Sequence, residues 1–179
     1  SNILVPLCGK SRDLLYLEGL GHQVTGIELS PLAIEAFWKE SGLTATQRET
    51  ETLRFFTGPG ISLIEGDFFE VRQTDIQKPD LVYDRAALIA MPPDLRGPYV
   101  AHLLDLAQDA TLLLVTLEYP QDQMAGPPFS VPFEEVTQLF GRTHTIECLE
   151  SLDVLQDNAS IQGRGVTSLR ENVYRISPN

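Results

Sequence analysis

Five positions in this 179-residue chain carry side chains suited to a nucleotide-derived ligand: Gly9, Glu28, Asp67 and the neighbours Asp84 and Arg85. Gly9 lies in "VPLCGKS", where an apolar run that reads as a strand turns into a helix. Gly-Lys-Ser is how a phosphate-binding loop ends, but that loop requires a glycine five positions earlier, and Leu4 stands there inside the strand. The bend is too short to wrap a triphosphate, and Lys10 reads as a solvated side chain at a helix start. The dinucleotide fingerprint is incomplete as well, because neither Ser11 nor Leu14 supplies its further glycines.

What remains is a small residue at a strand-to-helix corner and, 19 positions on, Glu28 at the end of the second apolar run. A carboxylate at that spacing accepts both hydroxyls of a ribose, so the pair points to a nucleoside more than to a phosphate. Asp67 closes "ISLIEGDFF"; its side chain or the backbone of Phe68 can read an adenine edge while Phe68 or Phe69 packs on the ring.

The elements that must position these residues alternate between strand-length apolar runs and helix-period segments. That alternation predicts an α/β sandwich, with parallel strands, right-handed crossovers and helices on both sheet faces. Strands are expected at Ile3 to Leu7, in "QVTGIEL", in "ISLIEGDFF", in "DLVYDRA" and in "ATLLLVTLEY". All the candidate residues then fall on one sheet edge, the carboxyl ends of the strands, where ligands of open α/β sheets sit.

Ser11 is expected to cap the first helix, with Leu14, Leu15, Leu17 and Leu20 toward the core and Gly19 and Gly21 at its end. "SPLAIEAFWKESG" predicts a helix with Ser30 at the N-cap, Pro31 at its first position and Gly42 beyond its end. Trp38 reads as a packing residue. "TLRFFTG" reads as half of a hairpin, or as a strand entered through the Gly58-Pro59-Gly60 turn. A helix over Asp94 to Ala107, disturbed or started by Pro98, precedes the fifth parallel strand. "GPPFSVPFEEVTQLFG" reads as a Pro-constrained loop and a short helix, and "HTIECLESLDVL" and "ENVYRIS" as antiparallel neighbours joined by a polar connection without a helix.

Composition fits one globular domain over residues 1–179: 42% hydrophobic, 21% charged, and without repeats. The 25 acidic residues outnumber the 13 basic ones, and a net charge of −12 argues against nucleic acid or anionic lipid as partners. Two distant cysteines make neither a disulfide framework nor a metal cluster, so a cytoplasmic protein without a metal is expected. No apolar run reaches the roughly 18 residues of a membrane span.

Several stretches together resemble the thiopurine S-methyltransferases, particularly the bacterial ones, within the class I S-adenosylmethionine-dependent methyltransferases. "VPLCGKS" matches their cofactor loop, "VTGIELS" their ribose acid, "DLVYDRAALIAMP" their fourth-strand segment and "TLEYP...GPPFSVP" the loop after the fifth strand, with "GDFF" between. The resemblance implies a Rossmann-like sandwich with a seven-stranded, mostly parallel sheet and a reversed terminal strand. It implies S-adenosyl-L-methionine as methyl donor, S-adenosyl-L-homocysteine as product and a sulfur atom as acceptor. By motif position it implies Leu7, Glu28, Leu29, Phe68 and Arg85 as cofactor contacts, with Gly9 and Asp67 beside them. Arg85 also borders the acceptor site in that family. Family members carry an N-terminal helix, with a Trp near the cofactor, ahead of the first strand; this sequence starts without it.

Methyl transfer needs acceptor, methyl carbon and leaving sulfur in line, so positioning supplies much of the rate. Arg85 is the candidate for stabilising negative charge on the acceptor, and Asp84 is the nearest candidate base, although an aromatic thiol ionises without one. The pair also reads as a simple helix cap. Phe129 and Phe133 read either as walls for a flat acceptor or as core. Cys8 reads as a small buried residue. Small chalcogen or halide anions such as tellurite and selenite are alternative acceptors, and a non-catalytic S-adenosylmethionine-binding protein is an alternative role; a monomer is expected. An NAD-dependent oxidoreductase conflicts with the incomplete glycine fingerprint.

Overall fold

A computed structural model describes residues 1–179, which divide into two compact units: residues 1–83 with 104–110, and residues 84–103 with 111–179. In the first unit β1 (Asn2–Val5), α1 (Asp13–Gly19), β2 (Gln23–Glu28), α2 (Pro31–Ser41), β3 (Thr46–Glu49), β4 (Arg54–Thr57), β5 (Ile61–Glu65) and all but the last residue of β6 (Leu81–Asp84) follow one another. The strand order is β3-β4-β5-β2-β1-β6. β5, β2, β1 and β6 run parallel, whereas β3 and β4 are added antiparallel outside β5.

Burial explains this assembly. Ile3, Val5, Val24, Leu63 and Phe56 from the strands enclose Leu14 of α1 with Ile34 and Phe37 of α2 in one apolar cluster, and Trp38 packs against it. Apolar burial of this kind is the main favourable term of the fold. The ends of α2 are set by local chemistry. Ser30 Oγ accepts from the Ala33 amide at 3.2 Å, Pro31 takes the first helical position, and Gly42 adopts φ 69° past the end. α1 begins later than Ser11 predicts: Ser11 Oγ accepts from the Asp13 amide at 3.1 Å in a turn ahead of the helix. Of its four expected core leucines only Leu14 is fully buried, and Leu20 is 58% exposed.

The second unit contains most of α3 (Pro93–Leu106), then β7 (Thr111–Glu118), α4 (Phe133–Phe140), β8 (His144–Asp153), α5 (Ala159–Gly163) and β9 (Arg170–Pro178). The last strand of the chain, β9, lies between β7 and β8 and pairs antiparallel with both. The expected antiparallel neighbours are therefore present, but their connection is not free of helix. Its Ile161, on α5, joins Tyr119, Met124, Val166 and Leu169 in a small apolar cluster.

The α/β class is as expected, with nine strands in place of seven. The short β3–β4 hairpin accounts for the difference. No helix is long and apolar enough to cross a membrane.

Candidate functional site

The chain leaves β1 through a tight bend in which Leu7 (φ 49°) and Gly9 (φ 58°) both take left-handed backbone. Glycine adopts that conformation without the steric cost a side chain brings, which is the physical reason for Gly9. β2 holds the bend down: the Cys8 amide donates to the Ile27 carbonyl at 2.9 Å, and the Gly9 amide donates to Glu28 Oε2 at 2.7 Å. Glu28 Oε1 accepts from the Ser30 amide at 2.9 Å, ahead of α2.

Each carboxylate oxygen thus uses one acceptor position on backbone and retains another, so half-buried Glu28 can still take two hydroxyl donors. A Cβ at Gly9 would meet nothing within 4 Å, so open space lies before the bend. Two spare carboxylate acceptors beside that opening fit the sugar of a nucleoside.

Gly26 is a residue that sequence reasoning passed over. A Cβ there would lie 2.6 Å from Cys8 Sγ and 2.7 Å from Leu63 Cδ2, so the bend can rest on β2 only because position 26 lacks a side chain. No sequence signal separates it from an ordinary strand glycine. Cys8 is buried, and burial first, then the negative charge of Glu28, push its thiol pKa far up. It is packing, not a nucleophile.

Pairing of β5 with β2 brings the Gly66 amide to the Glu28 carbonyl at 3.0 Å and places Asp67 next to that corner. Asp67 Oδ1 accepts from the Phe69 amide at 2.9 Å and so starts a single 3-10 turn, Phe68–Glu70. Phe68 is buried, whereas Phe69 is 40% exposed and meets it edge-on at 5.6 Å. Of the two, Phe69 offers the accessible ring, and Phe68 contributes backbone. Leu29 is 68% exposed and Leu7 half-buried. The first unit therefore gathers Leu7, Gly9, Glu28, Leu29, Asp67 and Phe68 at the carboxyl ends of β1, β2 and β5. Lys10 is turned to an exposed ion pair with Glu40 at 2.9 Å.

In the second unit Asp84 is 1% exposed. Its Oδ2 accepts from the Tyr99 hydroxyl at 2.5 Å, and its Oδ1 from the Ala87 and Leu88 amides at 3.0 and 3.2 Å. Burial raises the Asp84 pKa against the pull of these three donors, and burial followed by the Asp84 charge raises that of Tyr99 well above the tyrosine range. A carboxylate enclosed in this way has no path to a substrate proton. Asp84, the candidate base, is enclosed by these three donors and ties down the segment after β6, with Tyr99 as the partner sequence reasoning missed. Arg85, the next residue, is exposed.

Phe129 and Phe133 lie in the same unit. The Phe129 amide donates to the Ile89 carbonyl at 2.7 Å, and its half-buried ring lies beneath the Arg96 guanidinium at 5.5 Å. Phe133 is 46% exposed and stacks on Tyr174 of β9 at 6.0 Å, so part of its ring is committed to packing.

A profile of the thiopurine S-methyltransferase family matches residues 1–179. The thiopurine S-methyltransferase of Nitrosospira multiformis is 43% identical over 175 residues, spanning 97% of this chain and 80% of that protein. The Pseudomonas fluorescens enzyme of the same name is 47% identical over 176 residues, 98% of this chain and 81% of its own length. Among solved structures, a Burkholderia thailandensis 1,6-didemethyltoxoflavin-N1-methyltransferase with bound S-adenosylhomocysteine superposes with a TM-score of 0.61 at 17% identity, covering 99% of this chain and 71% of that one. A Methanosarcina mazei SAM-dependent methyltransferase reaches a TM-score of 0.70 at 14% identity, covering 99% and 92%. At those identities the likeness concerns the fold.

Proposed function

The chain belongs to the thiopurine S-methyltransferase family, and from that premise we propose that it transfers a methyl group from S-adenosyl-L-methionine to the sulfur of thiopurines or related aromatic and heterocyclic thiols. The observation that carries this reading is the corner of Gly9 and Glu28, closed by a 2.7 Å hydrogen bond yet retaining two carboxylate acceptors. When bound, S-adenosylmethionine supplies a methyl group on a sulfonium and leaves as S-adenosylhomocysteine.

The residues of this chain bind and orient. Glu28 accepts the ribose hydroxyls, the turn at Asp67 and Phe68 presents backbone and carboxylate to the adenine, and Leu7, Gly9 and Leu29 line the corner. Arg85 places a fixed positive charge for an anionic sulfur. Asp84 moves no proton, since an aromatic thiol loses its own to water and the enclosed carboxylate serves only to hold the segment that bears Arg85. Alignment of acceptor and donor is then the main source of rate, with up to roughly 7 to 11 kcal/mol available in well-oriented systems.

The setting we propose is the cytoplasm, with a small-molecule acceptor as partner. Both cysteines, Cys8 and Cys148, are free thiols, which suits a reducing compartment. The test is transfer of radiolabelled methyl to 6-mercaptopurine, in which Arg85→Ala is expected to lower kcat more than it weakens cofactor binding. An unchanged kcat would remove Arg85 from this role.

A further inference from the structure

The second unit buries an arginine that the methyl-transfer reading does not use. Arg96, on α3, is 4% exposed. Its Nε donates to the Met91 carbonyl at 3.0 Å, and its Nη1 donates to both carboxylate oxygens of Glu135 on α4, at 2.8 and 2.9 Å. Nη2 is buried with no partner. The guanidinium carbon lies 5.5 Å from the centre of the Phe129 ring, over its face.

A fixed charge that leaves a buried donor unpaired is costly, and removing a charge from water is costlier still. An apolar residue of similar volume could join α3 to α4 without either penalty, so packing alone does not account for a guanidinium here. What a guanidinium adds is positive potential. Glu135 offsets it on the Nη1 side, whereas Nη2 has no hydrogen-bond partner, and the ring beneath the guanidinium carries a negative face that the cation polarises.

We propose that Arg96 is a specificity-determining positioning residue of the acceptor site: acting through Phe129, it makes that wall electropositive and so favours an ionised sulfur acceptor over a neutral ring of the same shape. This rests on the reading of Phe129 as an acceptor wall. A ligand touching the ring lies within about 10 Å of the guanidinium, where a unit charge at an effective dielectric constant near ~20 is worth on the order of tenfold in affinity. With Glu135 as partial offset, roughly three- to tenfold is expected.

The sign of the effect separates this role from a structural one. Arg96→Gln and Glu135→Gln both break the same ion pair, so a bridge that merely holds α3 to α4 predicts the same direction of change in both variants. The electrostatic role predicts opposite directions. The experiment measures KM for 4-nitrobenzenethiolate, whose absorbance is lost on S-methylation, and the inhibition constant of its neutral methylated product, 4-nitrothioanisole, on wild type and four variants of the full chain.

Arg96→Gln should raise the thiolate KM about three- to tenfold, and Glu135→Gln should lower it, while the thioether constant stays within twofold in both. Should Arg96→Gln fail to fold, Glu135→Gln and Arg96→Lys carry the test, the lysine variant retaining most of the preference for thiolate over thioether. Parallel shifts in the two glutamine variants, or equal weakening of thiolate and thioether, would overturn the proposal. Phe129→Leu tests the premise separately: it should weaken both ligands, and a change in neither would remove the wall on which the proposal stands.

Discussion

Gly9 and Glu28, 19 residues apart in sequence, are joined by a 2.7 Å hydrogen bond from the glycine amide to the carboxylate. The acid at the end of β2 is thus a strut for the bend after β1 and, in the proposed function, also the acceptor for the cofactor's sugar.

That double duty has a cost in stability when Glu28 is replaced. Glu28→Ala leaves the amides of Gly9 and Ser30 without their acceptors. An unpaired, partly buried amide costs about 1–3 kcal/mol. Thermal melting should therefore show a lower midpoint for Glu28→Ala even without cofactor, and a smaller drop for Glu28→Gln, whose amide oxygen keeps one of the two bonds.

Gly26→Ala tests how tightly the bend is seated. The added methyl would come within 2.7 Å of Cys8 Sγ and Leu63 Cδ2, closer than such contacts allow. Overpacking of this kind costs typically about 1–3 kcal/mol. The bend must lift, so the variant should lose S-adenosylhomocysteine affinity by calorimetry together with stability. Cys8→Ala in the same background should restore part of both.

Asp84→Asn separates a structural from a catalytic acid. If the carboxylate only anchors its segment, turnover per folded molecule should remain within a few-fold of wild type, because the amide occupies the same space.

Stability against pH gives the same residue a second readout. The folded-state pKa of Asp84 is raised above its unfolded value by burial. Between those two values the folded chain keeps a proton that the unfolded chain has released, so this group's contribution to stability falls as pH rises. The difference in melting temperature, Asp84→Asn minus wild type, should grow in favour of the variant through that window. A flat difference would contradict the assignment.

Much of this arrangement is legible in the sequence where the determining chemistry is local. Ser30, Pro31 and Gly42 announce both ends of α2 because a cap, a first-turn proline and a left-handed glycine act within a few residues. The spacing of Gly9 and Glu28 foretells their meeting, since one crossover from β1 to β2 fixes the register. β3 escapes notice because "TQRE" is polar and exposed throughout, so no alternation marks it. Leu20 misleads, as a helical apolar residue that remains on the surface. The bond between Asp84 and Tyr99, the seat of Cys8 against Gly26 and the bridge from Arg96 to Glu135 depend on which elements pack together. Their residue types carry no mark of it.

The claim that Glu28 grips the sugar is tested most directly by calorimetric titration of S-adenosylhomocysteine and of its analogue lacking both ribose hydroxyls, against wild type and Glu28→Gln. Hydrogen bonds to a charged group are worth about 1.5–3 kcal/mol each. Wild type should bind the analogue at least tenfold more weakly than the parent, and that penalty should shrink to a few-fold in Glu28→Gln. An equal penalty in both proteins would mean that Glu28 only braces the bend and that the sugar is held elsewhere.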